Sequence, residues 1–202
     1  MNDQHSAARA SVMSILHQAM LITSLLVVSW LLMMLVHELG HILGALATGG
    51  RVHRLIWHPL VFSQTDVMPN PSPLVVAWMG PIVGIVLPVL PAGVASWRRW
   101  SMSYAVVFFA GFCLLVNGAY IGLGHFQDIG DTAVMAWLGT PTWVMIAFGL
   151  LTAPPGLWLL HRASSHLGFG RPRRPVNPAH AYGMLAIAIL TVALGFLVGD
   201  MG

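Results

Sequence analysis

"MLVHELGHILGALATGG", residues 34–50, sets one glutamate and two histidines into an otherwise apolar run. An ionisable side chain near the centre of a bilayer costs on the order of 3 kcal/mol or more, so such groups inside a span point to function. The bilayer is the relevant solvent here. Of 202 residues, 57% are hydrophobic and 7% charged, and the mean hydropathy is +0.78, a composition that excludes an ordinary soluble globule.

Outward from this stretch, five segments reach the roughly 20 apolar residues a spanning helix needs. They lie near residues 15–48, 73–96, 103–124, 141–161 and 181–199. The first is too long, and too charged at its far end, for a cleavable signal peptide, so it is expected to be retained. Between the first two, "RVHRLIWHPLVFSQTDVMPNPSP" is rich in β-branched and aromatic residues and closes on Asn70, Pro71 and Pro73. That pattern predicts a short β-ribbon at the membrane surface or dipping into it. Between the third and fourth spans, Asp131 is placed to cap a short helix running to Leu138, which Gly139 and Pro141 end. The expectation is an all-α membrane protein of about five transmembrane helices with a β-ribbon after the first, as a single domain over residues 1–202 without internal repeats.

The charges sort by side. The chain has no lysine, and its arginines group at the amino terminus (Arg9), the Arg98–Arg99 turn and the loop with Arg162, Arg171, Arg173 and Arg174. With five spans these fall on one side, and only Arg51 and Arg54 on the other. The positive-inside rule then makes the amino terminus cytoplasmic, in a multi-pass protein of the cell membrane. Trp97, Trp100, Trp143 and Trp158 fall near span ends, where indole rings favour the interface. The arginine cluster is too short for nucleic-acid binding, so no such partner is expected. Cys113 is the single cysteine and reads as a small core residue.

His37-Glu38-Leu39-Gly40-His41 carries the chemistry. Positions i and i+4 share a helix face, so His37 and His41 can offer two imidazole nitrogens to one metal ion. Glu38, turned by about 100°, stays near the ion without ligating it and is placed to take a proton from an attacking water. Zinc (Zn2+) suits imidazole ligands and makes water acidic enough to attack a peptide bond near neutral pH. Two histidines leave the ligand set incomplete. Gly44 fits the longer His-Glu-x-x-His-x-x-Gly-x-x-His pattern, but Ala47 stands where its third histidine belongs. Asp131, on the same side as the end of the first helix, is the first choice for third ligand, with Asp128, His125 and Asp66 behind it. A helix-capping role for Asp131 is the plainer alternative.

These features resemble the site-2 protease family of intramembrane zinc metalloproteases, especially small members without a PDZ or CBS domain. The resemblance covers residues 30–140 and rests on "HELGHILGALATGGRV" with its ribbon, "AWMGPIVGIVLP" and "NGAYIGLGHFQDIGDTAVM". It implies that His37, His41 and Asp131 bind zinc, that Glu38 is the general base, and that the substrate is a membrane protein or peptide cleaved in or near its span. The sequence departs from the family pattern in two places. Gly84 stands where an asparagine often follows Gly80-Pro81, and Gly130-Asp131-Thr132 replaces Asp-Gly, the offset from Asn117 falling on His125. Asn117 reads either as a group polarising the scissile carbonyl or as a polar packing residue. Much of the family turns its catalytic centre to the cytosol, whereas the arginines place the His41 end outside. An exposed ribbon edge would suit an unwound substrate strand, and an interfacial hairpin is the alternative. His53 and His58 read as interfacial residues.

Two other classes compete. A protease-derived membrane module that binds or chaperones without catalysis would share the fold. A membrane di-iron enzyme needs further histidine boxes, which His125, His161, His166 and His180 do not supply.

Overall fold

The structure is a computed structural model that describes residues 2–124, 126, 129–169 and 176–201, with side chains from residue 12 to residue 199. His125, Asp128, Arg171, Arg173 and Arg174 lie outside the described residues. The elements run α1 (Asn2–Ala47), β1 (Val52–Ile56), β2 (Gln64–Val67), α2 (Pro73–Trp97), α3 (Ser103–Gly124), α4 (Gly130–Trp137), α5 (Thr142–Ser164), α6 (Pro178–Val198) and β3 (Asp200–Met201). Five of the helices are long and apolar enough to cross a membrane, as the composition requires of a multi-pass membrane protein. Among the α-helices of the described residues, α4 alone is too short.

α1 packs against α2, α3 and α6, while α3 packs against α2 and α5. Within a bilayer, apolar burial gives little preference for one helix over another as neighbour, so close backbone approach matters more. The sequence supplies it with glycine. A Cβ on Gly40 would strike the Met79 carbonyl, and one on Gly44 would lie 3.0 Å from the Met79 side chain, so α1 and α2 cross almost backbone to backbone. The α3–α5 pair is built the same way, with Gly122 against Gly149 and Gly156 against Gly111 and Leu115. Larger side chains fill the ends of the bundle. Leu21 and Leu25 of α1 pack with Tyr104 and Phe108 of α3 and Met184 of α6 at one end, and Ile121, Met135 and Met145 pack at the other.

The ribbon is a three-stranded antiparallel sheet in the order β2–β1–β3. Arg54 faces Asp66, Leu55 faces Thr65, and Ile56 faces Gln64, with a bulge at the start of β1. The third strand, which the sequence pattern does not announce, comes from the end of α6 and pairs Leu55 with Met201. That pairing sets the end of the fifth long helix beside the strand that follows the first. The turn of the ribbon re-enters the bundle. Trp57 donates its indole N–H to the Leu31 carbonyl at 2.8 Å, and Phe62 meets Trp30 edge to face. Leu31 lies roughly 24 Å along the axis from the end of α1 at 1.5 Å per residue, so the turn dips beside the middle of that helix.

Replacing Gly40 by valine is expected to lower the thermal unfolding midpoint in detergent and cost at least about 1–3 kcal/mol, because the added carbons meet backbone rather than a movable side chain. At Gly93 an added Cβ would meet nothing within 4 Å, so that position should accept alanine without loss. Equal midpoints for the two variants would refute the close crossing.

Candidate metal centre

His37 and His41 stand one turn apart on α1 with ring centroids 4.8 Å apart. Their tautomers follow from their neighbours. The Cys113 carbonyl can only accept, so the Asn117 amide nitrogen, 2.9 Å away, donates to it and Oδ1 is left to face His37. Oδ1 lies 2.8 Å from His37 Nδ1, so that nitrogen carries the proton. His41 Nδ1 lies 2.8 Å from the Val76 carbonyl and must donate as well. In the neutral rings both Nε2 atoms therefore bear lone pairs. They face the same carboxylate: His37 Nε2 is 2.9 Å from Asp131 Oδ2 and His41 Nε2 is 3.4 Å from Asp131 Oδ1.

Lone pairs so arranged repel unless positive charge lies among them. A metal ion would provide it, and ligands about 2.0–2.1 Å from a tetrahedral ion stand roughly 3.3 Å apart, close to the spacings found. The outer groups fit as well, since each ring's second nitrogen is held by an oxygen acceptor. Buried His37, Glu38 and His41, with ligand atoms within 4.8 Å of one another, form a group that could hold a metal ion. Of the two carboxylates nearby, Asp131 is the closer to the imidazoles. Both oxygens of Glu38 are engaged by the ribbon, accepting from Ser63 Oγ and Thr65 Oγ1 at 2.6 Å each.

Several elements aim these groups. Gly80 of α2 lies under the imidazoles, where a Cβ would approach His41 Nε2 to 2.6 Å and His37 Nε2 to 2.8 Å. Gly84 leaves room for Asn117, whose Oδ1 would be 2.8 Å from a Cβ there. Asp131 does not cap α4. Ile129 is the N-cap residue, and the Asp131 carboxylate turns to the imidazoles instead. Its backbone N–H donates to the Tyr120 hydroxyl at 2.9 Å, and Gly130, at φ +53°, leaves space for that hydroxyl. Burial works against the Asp131 charge, but where Nε2 of His37 and His41 is protonated their hydrogen bonds to the carboxylate outweigh it and hold the carboxyl well below the usual carboxylate range.

Other residues considered from sequence lie elsewhere. Asp66 accepts from Gln64 within the ribbon. His58 meets Phe196 edge to face, and His53 is exposed on β1. His166 and His180 gather around Tyr104 at the opposite end of the bundle, which leaves no second histidine box beside His37 among the described residues. Asn117 donates to the Cys113 carbonyl through Nδ2 and accepts from His37 through Oδ1, so it orients the His37 ring. Sequence reasoning misses Ser63 and Thr65. Ser63 immediately precedes β2 and Thr65 lies on it, and i, i+2 spacing in extended chain puts two side chains on one face, which is the signal that could have found them.

The imidazoles, Glu38 and Asp131 line a cavity of about 720 Å³, whose other walls include Trp30, Phe62, the β2 strand, Asn70 and Tyr120. Comparison with protein-family models, with curated proteins and with solved structures found no match to this chain.

Elemental analysis of detergent-purified protein is expected to find a bound metal that is lost in His41→Ala and in Asp131→Ala. Asn117→Ala should retain the site with affinity lowered roughly 10–100-fold in chelator competition. Full metal content in Asp131→Ala would remove that residue from the ligand set.

Proposed function

We propose that the chain is an intramembrane zinc metalloprotease that hydrolyses a peptide bond in or near the span of a membrane protein. The observation that carries this reading is the convergence of two Nε2-presenting histidines and Asp131 beside Glu38 on the wall of a large cavity. The resemblance of the His-Glu-x-x-His segment to site-2 proteases agrees with it. His37, His41 and Asp131 would hold zinc, whose Lewis acidity is what amide hydrolysis lacks in its absence. Glu38 takes the proton from the attacking water and passes it to the leaving amine as the C–N bond breaks. Ser63 and Thr65 hold the Glu38 carboxylate in one orientation for that exchange. His37 and His41 keep theirs through Asn117 and Val76.

A helix hides its carbonyls behind its own hydrogen bonds, so the substrate must be unwound before attack. The outer edge of β2, whose Gln64, Thr65 and Val67 line the cavity, suits an extended segment. By the arginine distribution the amino terminus is cytoplasmic, and the metal-bearing end of α1 faces the other side of the membrane.

Two experiments test this reading. New protein amino termini lying in or beside spans should accumulate in membranes containing the wild type and fall by about 10²-fold or more with Glu38→Gln, with metal content unchanged. Identical amino-terminal profiles would favour a non-catalytic membrane module. For orientation, a membrane-impermeant thiol reagent on intact cells should label Ala136→Cys and spare Ser101→Cys. Both positions are exposed and the native Cys113 is buried, so labelling has little background. The reverse pattern would invert the topology.

A further inference from the structure

The cavity beside the metal centre carries fixed charge of one sign. Glu38 and Asp131 both line it, and among the described residues no arginine does, in a chain that has no lysine. The two arginines of the ribbon segment stand apart from it, Arg51 exposed and Arg54 facing Asp66 across the sheet. Glu38 accepts at both oxygens, from Ser63 Oγ and Thr65 Oγ1, which is the pattern of an ionised carboxylate. In the proposed site the imidazoles are neutral ligands, so the charge of a dication is offset by Asp131 and Glu38 together. No positive charge is left over for a guest.

The rest of the wall does not make up for this. Met33, Met34, Val76, Ala77, Val116 and Val134 are apolar. Ser63, Thr65, Gln64 and Asn117 donate to acceptors of the protein itself. A carboxylate that leaves water for such a site loses its hydration and regains no counter-charge, a penalty its neutral isostere escapes. Charges in an apolar site also act beyond contact distance, so Glu38 need not touch a guest to oppose a second negative charge.

We propose that Glu38, besides serving as general base, selects the substrate by charge: the segment seated beside the metal carries no aspartate or glutamate. The assignment rests on the metalloprotease reading and deepens it by naming the substrate class, an extended segment free of acidic side chains. Of the two carboxylates, Asp131 faces both Nε2 atoms and its charge is engaged at the metal. Glu38 is therefore the group whose neutralisation tips the local balance to positive. Replacing it by glutamine keeps its size and turns the site from one that rejects an acidic guest into one that attracts it.

Three peptidyl hydroxamates test this, identical except for the side chain next to the metal-binding hydroxamate, which is leucine, asparagine or aspartate. Their binding to zinc-loaded, detergent-purified wild type, Glu38→Gln and His41→Ala is measured near neutral pH, where the aspartate is ionised. Aspartate and asparagine nearly share a shape, so the ratio of their affinities isolates charge and removes any effect of a variant on the hydroxamate itself. The aspartate probe is expected to bind wild type at least about 10-fold more weakly than the asparagine probe. Glu38→Gln should narrow that ratio by about 10-fold, as loss of a unit charge roughly 10 Å away through an effective dielectric of about 20 requires. Glu38→Ala repeats the test should Glu38→Gln lose zinc. Equal binding of the two probes by wild type overturns the charge rule, and an unchanged ratio in the Glu38 variants overturns its assignment to Glu38. If wild type binds none of the probes, or His41→Ala binds the leucine probe as well as wild type does, the metalloprotease reading fails and the charge rule falls with it. Equal aspartate and asparagine binding that still requires His41 leaves that reading standing.

Discussion

An imidazole buried at the end of an apolar helix must have both ring nitrogens satisfied by the protein, and at His37 and His41 this requirement organises half the molecule. The Nδ1 partners come from α3, through Asn117, and from α2, through the Val76 carbonyl. The carboxylate facing both Nε2 atoms comes from α4. Three elements must therefore converge on one face of α1. Gly40 and Gly80 permit the α1–α2 approach, Gly84 admits the Asn117 amide, and Gly130 leaves room for the Tyr120 hydroxyl that fixes Asp131. These glycines look like general packing residues in the sequence. In the fold Gly40 lets two backbones cross, and Gly80, Gly84 and Gly130 each leave room for a polar side chain.

That distinction separates what can be read in the chain from what cannot. The spans are legible because a run of apolar residues of the right length has few other fates, and the observed helices end within about three residues of their expected limits, apart from the first, which begins earlier. His37, Glu38 and His41 are legible as a set because helical spacing alone puts them on adjacent positions of one surface. Asp131 is singled out by its side of the membrane, an argument that supplies proximity and no direction. The orientation of its carboxylate depends on a left-handed glycine before it and on a tyrosine from another helix. The Val76 carbonyl leaves no trace at all, since a backbone acceptor looks the same in every sequence.

The ribbon illustrates a different limit. Its β propensity is plain, but its depth is not, because strands at the surface and strands beside a span can share the same residues. What decides the matter is hydrogen-bond satisfaction. Non-helical backbone at membrane depth is tolerated only where its polar groups are paired or line a cavity. β1 meets this condition with a partner on each side, one of them the short β3 from the far end of the chain. Trp57 closes the deep end, its backbone N–H donating to the Gly199 carbonyl at 2.7 Å and its indole donating to Leu31.

β2 is treated differently, and the consequence joins fold to site. Its inner edge is paired with β1, its outer edge has no strand beside it among the described residues, and Gln64, Thr65 and Val67 line the cavity. The same strand and the turn before it carry the hydroxyls that hold Glu38. Under the proposed metalloprotease reading, a guest chain lying along this edge would be registered against the element that holds the carboxylate, so its position and the orientation of Glu38 would be set by one element. Had the hydroxyls come from α2 or α3, a shift of the ribbon would have moved the guest relative to the carboxylate. Carrying both on the ribbon keeps their relation fixed even if the ribbon moves against the bundle.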